Sequence, residues 1–241
     1  MTSTPVAAVA ARALALVDLT SLDEGDTETS TRALCARAVT PHGPVAAVCI
    51  MPAWVAAAAD ALAGSPVRVA TVANFPDGRP DVEAARAATA QAVADGADEV
   101  DVVAPWRAWA DGDHAVAERL IAACAAEAPS LKVILETGSL SGAAAARALA
   151  ALALGAGAGW VKTSTGKHGQ GATPEAAQAL LDAVKAHGAG GVKVSGGVRT
   201  AADAATYLAL ADATMGPAWA TPETFRIGAS SLVDDLALHL S

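Results

Sequence analysis

Eight short runs rich in valine, isoleucine and leucine recur along the chain, and their spacing constrains the fold more than any other feature. They occupy residues 16–19, 45–50, 67–73, 99–103, 131–136, 159–163, 191–195 and 225–228, with starts 22 to 34 residues apart. That interval holds one strand, one helix and the turns that join them. The intervening stretches carry helix signals. Residues 81–95 are alanine-rich with apolar positions at helical spacing, and Gly96 follows as a stop. Thr173-Pro174-Glu175 reads as a capped start closed by His187-Gly188, and Thr200, with Asp203 three positions on, begins a helix over 200–211. The runs are apolar nearly throughout rather than alternating, as strands are when both faces of a parallel sheet are covered. Eight such units in 241 residues predict an α/β protein built as a single (β/α)8 TIM barrel, one domain over 1–241. An open doubly wound sheet fits less well, since no GxGxxG turn follows the first run.

Composition narrows the function classes. Hydrophobic residues make up 53% of the chain but aromatics only 3%, so alanine and valine supply the packing. Sixteen basic residues against 25 acidic ones give a net charge of −9, which offers no overall field for nucleic acid or an anionic membrane. Any bound phosphate must be held by local geometry. Cys35, Cys49 and Cys124 are scattered and form no CxxC, which predicts reduced, buried thiols and a cytoplasmic protein. The longest apolar run, 45–59, contains Pro52 and falls short of the roughly 20 residues a membrane span needs. The N-terminus lacks a basic start and is interrupted by Arg12, so it reads as an amphipathic helix leading into a strand.

In a barrel of this kind chemistry sits at the C-terminal ends of the strands. Those positions predict a polar set in an otherwise apolar chain: Asp18, Cys49, Asn74, Asp101, Glu136, Lys162 and Lys193. Lys162 and Lys193 fall on adjacent strands. Facing one another in the mouth, each disfavours the other's charge and burial acts the same way, so one amine becomes a neutral nucleophile able to form a Schiff base. Asp101, placed at the end of its strand, could move protons or balance lysine charge. Taken singly these residues have plainer readings. Lys162 alone suits a salt bridge, Asp101 a structural pair or cap, and Cys49 a small core side chain. Glu136 fits either neutralising a lysine or satisfying backbone donors. The turns Ser195-Gly196-Gly197-Val198 and Gly228-Ala229-Ser230-Ser231 place glycine amides and hydroxyls in the last two loops, the recurrent phosphate position of such barrels.

Motifs along nearly the whole chain resemble the deoxyribose-phosphate aldolase family: Val17-Asp18-Leu19-Thr20, Val48-Cys49-Ile50, Val69 to Pro76, Gly96 to Val103, Leu131 to Gly138, Val161-Lys162-Thr163-Ser164-Thr165-Gly166-Lys167, Ser195 to Thr200 and Arg226 to Ser231. The resemblance implies a class I aldolase without metal or cofactor. Its reaction is reversible cleavage of 2-deoxy-D-ribose 5-phosphate to acetaldehyde and D-glyceraldehyde 3-phosphate, in deoxyribose phosphate catabolism. It also implies roles for individual residues. Lys162 is the Schiff-base lysine, Lys193 the second lysine that tunes it, Asp101 the proton donor and acceptor, and Asp18 a support for the lysine network. Thr165 and Lys167 lie near the substrate hydroxyl and phosphate, while Gly196, Gly197, Val198, Gly228, Ser230 and Ser231 cradle the phosphate. The implied partners are small molecules only, and dimers are common in the family. Two other readings of the residues stand beside it: another lysine-dependent barrel aldolase, or a catalytically silent sugar-phosphate-binding barrel.

Three positions depart from the family pattern. Asp23 stands where some members have an asparagine near the substrate. The stretch 167–171 is unusually rich in glycine, which predicts a mobile loop. Some members end in a flexible tail whose tyrosine assists proton transfer; this chain ends His239-Leu240-Ser241, and its single tyrosine, Tyr207, falls in a predicted helix. Proton transfer is therefore expected to rest on Asp101, a lysine and water.

Overall fold

The computed structural model describes residues 6–240. All eight runs form strands: β1 (Val17–Thr20), β2 (Ala47–Ile50), β3 (Arg68–Ala73), β4 (Glu99–Val103), β5 (Leu131–Ile134), β6 (Trp160–Lys162), β7 (Gly191–Ser195) and β8 (Phe225–Ala229). They close into a parallel barrel in sequence order, with β1 pairing both β2 and β8. This is the expected TIM barrel. A helix at Val6–Leu14 precedes β1 as anticipated, while residues 1–5 and 241, which belong to the terminal readings, lie outside the described residues. A short antiparallel pair, Val39–Thr40 with Gly43–Pro44, was not anticipated; two-residue strands carry no periodicity to detect.

The helix boundaries follow from side-chain capping. Asp81, Thr173 and Thr200 accept the amides of Ala84, Ala176 and Asp203, and the Asp203 carboxylate in turn accepts the Thr200 amide. The last of these helices runs on to Met215, because Asp212 to Met215 contain no breaker before Gly216. Gly188, at φ +84°, ends the helix Pro174–His187 in the left-handed conformation that glycine adopts without strain. Alanine faces the strands from the outer layer: Ala146, Ala150 and Ala153 in one helix and Ala177 and Ala183 in the next are buried. Small side chains let helices approach the barrel closely, which explains how so few aromatics suffice. Cys35, Cys49 and Cys124 are buried and unbridged. Among the described residues no helix is long and apolar enough to cross a membrane.

The floor of the barrel depends on one glycine. Gly191 pairs in register with Trp160, and a Cβ there would overlap the indole ring. We expect Gly191→Ala to destabilise the protein by about 1–3 kcal/mol through overpacking, lowering the calorimetric Tm by several degrees while the far-ultraviolet spectrum is unchanged. An unchanged Tm would show that the ring can move aside freely.

Candidate active site

The interior of the barrel is filled by a closed ring of six charges where a simpler barrel would place aliphatic layers. Arg226 donates to Asp18 Oδ1 at 2.7 Å and to Glu99 Oε1 at 2.9 Å. Glu99 Oε2 pairs with Lys132 Nζ, which lies 3.0 Å from Asp101 Oδ1. Asp101 Oδ2 is 2.8 Å from Lys193 Nζ, and Lys193 returns to Asp18 Oδ2 at 2.6 Å. Three acids thus alternate with three cations. Lys162 is a seventh member outside the ring, its Nζ 2.8 Å from Asp101 Oδ2.

Strand geometry puts these side chains together. Glu99 and Asp101 are two residues apart on β4 and so share its inward face. In-register pairing sets Asp101 beside Lys132, Lys162 beside Lys193, and Lys193 beside Arg226. The two lysines are neighbours, as expected, but Asp101 stands between their amines and is not at a strand end. It sits mid-strand, fully buried one layer below the mouth, because β4 continues to Val103.

The electrostatics follow from this packing. Burial pushes the Asp101 carboxyl up, but Lys132, Lys162 and Lys193 outweigh it and hold the group well below the usual carboxylate range. Asp18 is likewise held down against burial by Lys193 and Arg226. Burial works against the charge of Lys193, yet Asp101 and Asp18 raise it well above the ordinary amine value. Lys193 is therefore held in its charged form. Lys162 stands apart from it, with one carboxylate partner and a place on the wall of a cleft.

That cleft, of about 380 Å³, opens at the C-terminal end of the barrel. Lys162, Thr165 and Lys167 line one side, and Gly196, Gly197, Val198, Gly228 and Ser230 the other. Asp18, Asp101 and Lys193 lie beneath it, fully buried. Ser231 is exposed at the start of the last helix, one residue beyond the lining. Gly196 and Gly197 have φ of +90° and +91°, and the amides of Gly196, Gly197 and Val198 have no acceptor among the described residues. Consecutive free amides in such a turn make an anion-binding concavity. Gly228 has a further reason to lack a side chain, since a Cβ would meet Lys193 Cε and Ser195 Cβ, both at 3.0 Å. It gives Lys193 room to cross the barrel.

Neighbouring loops fix the rim. Glu136, at φ +52°, accepts the amide of Thr165 at 3.2 Å and its hydroxyl, so it serves donors of the β6 loop. Burial raises its carboxyl, opposed by those two hydrogen bonds. Thr165 Oγ1 in turn accepts the Lys167 amide at 3.0 Å. Asn74, also left-handed, bonds the backbone of Arg79 and Val103. Cys49 lies 4.0 Å from Asp101 Oδ2, its thiol pushed up by burial, within a small apolar cluster that includes Ala70 and Val72. Of the glycines in 167–171, Gly171 serves close contact. A Cβ on Gly171 would overlap the Gly196 carbonyl, and one on Gly138 would overlap Gln170. Tyr207 donates to the Ala172 carbonyl at 3.0 Å and so braces this loop from its helix. Asp23 lines the cleft while its Oδ1 closes a local turn by accepting the Gly25 amide.

Sequence reasoning passed over Lys132, Glu99 and Arg226. Their signal was present, as charged residues within apolar strands, but the first lies beside Leu131 and Val133 and the other two near strand starts, away from the mouth. It also passed over Thr20, Ser21 and Arg199 on the cleft wall. As chemistry, the arrangement offers an amine on the wall of a cleft, a buried anion beside it, and an anion-binding turn at the far side.

Residues 12–235 match the DeoC/LacD family aldolase. Among solved structures, one from Coccidioides immitis, provisionally named a deoxyribose-phosphate aldolase, shares 28% identity and a TM-score of 0.82 over 99% of this chain and 87% of that one. Another given the same provisional name, from Toxoplasma gondii ME49, shares 25% identity and a TM-score of 0.85 over 98% and 96%. A tetrameric deoxyribose phosphate aldolase from Aeropyrum pernix shares 23% identity and a TM-score of 0.78 over 98% and 97%, which speaks to the fold.

Proposed function

Because the chain belongs to the DeoC/LacD aldolase family, we propose that it is a class I aldolase. In this reading residues 1–241 form one domain that reversibly cleaves 2-deoxy-D-ribose 5-phosphate to acetaldehyde and D-glyceraldehyde 3-phosphate. The role is catabolic, and the buried, unbridged cysteines support a cytoplasmic setting. The observation that carries the reading is the position of Lys162, alone of the buried lysines on the cleft wall and 2.8 Å from Asp101.

The free amine of Lys162 adds to the substrate aldehyde carbon, and loss of water with uptake of one proton gives the iminium. Removal of the proton from the C3 hydroxyl then breaks the C2–C3 bond, releasing glyceraldehyde 3-phosphate. The bonding pair remains on the lysine-bound two-carbon unit as an enamine. Protonation at carbon and hydrolysis return acetaldehyde and Lys162. Charge counting favours Lys162 for this cycle. Asp18, Glu99 and Asp101 are balanced by Lys132, Lys193 and Arg226, so the ring stays neutral when Lys162 is the free amine. Gly196, Gly197 and Val198 amides, with Lys167 and Arg199 also lining the cleft, suit the phosphate.

The test is borohydride reduction in the presence of acetaldehyde followed by peptide mass mapping. A two-carbon adduct on Lys162 is expected. An adduct on Lys193 instead, or none, would sink the assignment.

A further inference from the structure

Lys132 is not among the described residues that line the cleft and has no part in the steps above, yet it touches the carboxylate that Lys162 and Lys193 share. Its side chain is fully buried on β5, with Nζ hydrogen-bonded to Glu99 Oε2 on one side and 3.0 Å from Asp101 Oδ1 on the other, an ion-pair contact outside hydrogen-bond geometry. No other cation meets Asp101 Oδ1 among the described residues; Lys162 and Lys193 both meet Oδ2. We propose that Lys132 is a positioning residue for the reaction, occupying Asp101 Oδ1 so that Lys162 and Lys193 must share Oδ2. The inference rests on the aldolase reading and extends it to a residue below the site.

A carboxylate facing two amines with both oxygens free would take one amine on each and hold them apart. With Oδ1 occupied, two amines converge on one oxygen at 2.8 Å each. Proximity to a like charge disfavours protonation, so the arrangement favours the free amine at whichever lysine is less well paired. Lys193 has Asp18 as a second carboxylate partner, and Lys162 has no second one among the described residues. The pressure therefore falls on Lys162.

Lys132 is itself fixed from below. Glu99 accepts from both Lys132 and Arg226, and Trp160 lies beneath, its ring 6.0 Å from Lys132 Nζ and 5.3 Å from Arg226 Cζ. Glu99, Trp160 and Arg226 also line a cavity of about 320 Å³ at the N-terminal end of the barrel. The other groups facing this cluster are Asp18 on β1, Cys49 on β2, 4.0 Å from Asp101, and Glu136 in the loop after β5, whose charge acts on Lys162. Each remains in place when only Lys132 and Glu99 are changed.

The experiment compares the full chain with Lys132→Met and with Lys132→Met/Glu99→Gln. The readouts are the pH dependence of kcat for deoxyribose 5-phosphate cleavage, thermal stability, and borohydride trapping with acetaldehyde. Removing a nearby positive charge and freeing Asp101 Oδ1 both favour the protonated amine. The acid limb of the profile is therefore expected to move up by about one pH unit in the single variant. The double variant leaves Asp18 and Asp101 facing Lys193 and Arg226, two charges against two, so its stability should recover while the acid limb stays displaced. Recovery of the wild-type limb together with stability would make Lys132 merely structural and overturn the proposal. So would an unmoved limb in the single variant. Absence of a trapped adduct in the wild-type protein would instead fail the aldolase reading, and this inference with it; a trapped adduct with no shift fails the inference alone.

Discussion

Replacing Lys162 with alanine is expected to reduce cleavage of deoxyribose 5-phosphate by about 10⁴-fold or more and to leave the fold intact. The two halves of that expectation have separate origins. Activity is lost because the covalent route needs an amine on the cleft wall, and the buried amines of Lys132 and Lys193 are already committed to two carboxylates each. Stability is kept because the six-membered ring closes without Lys162. Its removal leaves three acids against three cations, and the space it vacates opens into a cleft that water can fill. Initial rates and a thermal unfolding curve on the same preparation check both. A variant that retains more than a hundredth of wild-type activity would show that another nucleophile works. A drop in Tm beyond a few degrees would show that Asp101 depends on Lys162 for its place in the core.

The barrel could be read from the sequence because its signals are local. Strand-length apolar runs, capping threonines and terminal glycines each report on a few neighbouring residues, and spacing does the rest. The cleft residues were legible for a related reason: Lys162, Gly196 and Gly197 lie in strand ends and loops whose place in such a barrel is fixed. What stayed hidden was the ring. Which carboxylate oxygen meets which amine depends on strand register and on side chains crossing the barrel, and neither is encoded locally. Asp101 is the clearest case. Its run, 99–103, continues two residues past it, and pairing with Lys132 sets it among the buried charges below the mouth rather than at a strand end. Two glycines carry a second reason that the sequence does not show. Gly171 and Gly228 suggested slack or an anion cradle, yet in the fold each also answers to a side chain or carbonyl that leaves no room for a Cβ.

Net charge shows how local arrangement overrides a global sum. The chain carries −9, yet the cleft wall bears Lys162, Lys167 and Arg199 against Asp23. Most of the excess acid lies elsewhere. An anion approaching from afar gains nothing from the overall field, so selectivity for a phosphorylated substrate rests on contact rather than steering.

Lys193→Met should be the most damaging single change to the ring. Methionine matches the lysine stem in length, so packing beside Gly228 is preserved and the effect is electrostatic. The substitution leaves Asp18 Oδ2 and Asp101 Oδ2 each short of a buried cation, and breaking a buried pair in this way costs about 3–5 kcal/mol. That is a large part of the stability of an ordinary domain. Activity should fall as well, with the acid limb of the pH–rate profile moving up, since loss of the neighbouring positive charge favours protonated Lys162. The pH dependence of stability supplies a sign check. In the wild-type protein Asp18 and Asp101 are held below their usual range, so the stability they contribute is present above about pH 4 and lost as pH falls toward their folded values. In the variant both carboxyls return upward, and that acid-side loss shrinks. The stability gap between the two proteins should therefore be widest near neutrality and narrow as denaturant titrations move below pH 4. A gap that is constant with pH would mean that lost packing, rather than unpaired charge, destabilises the variant.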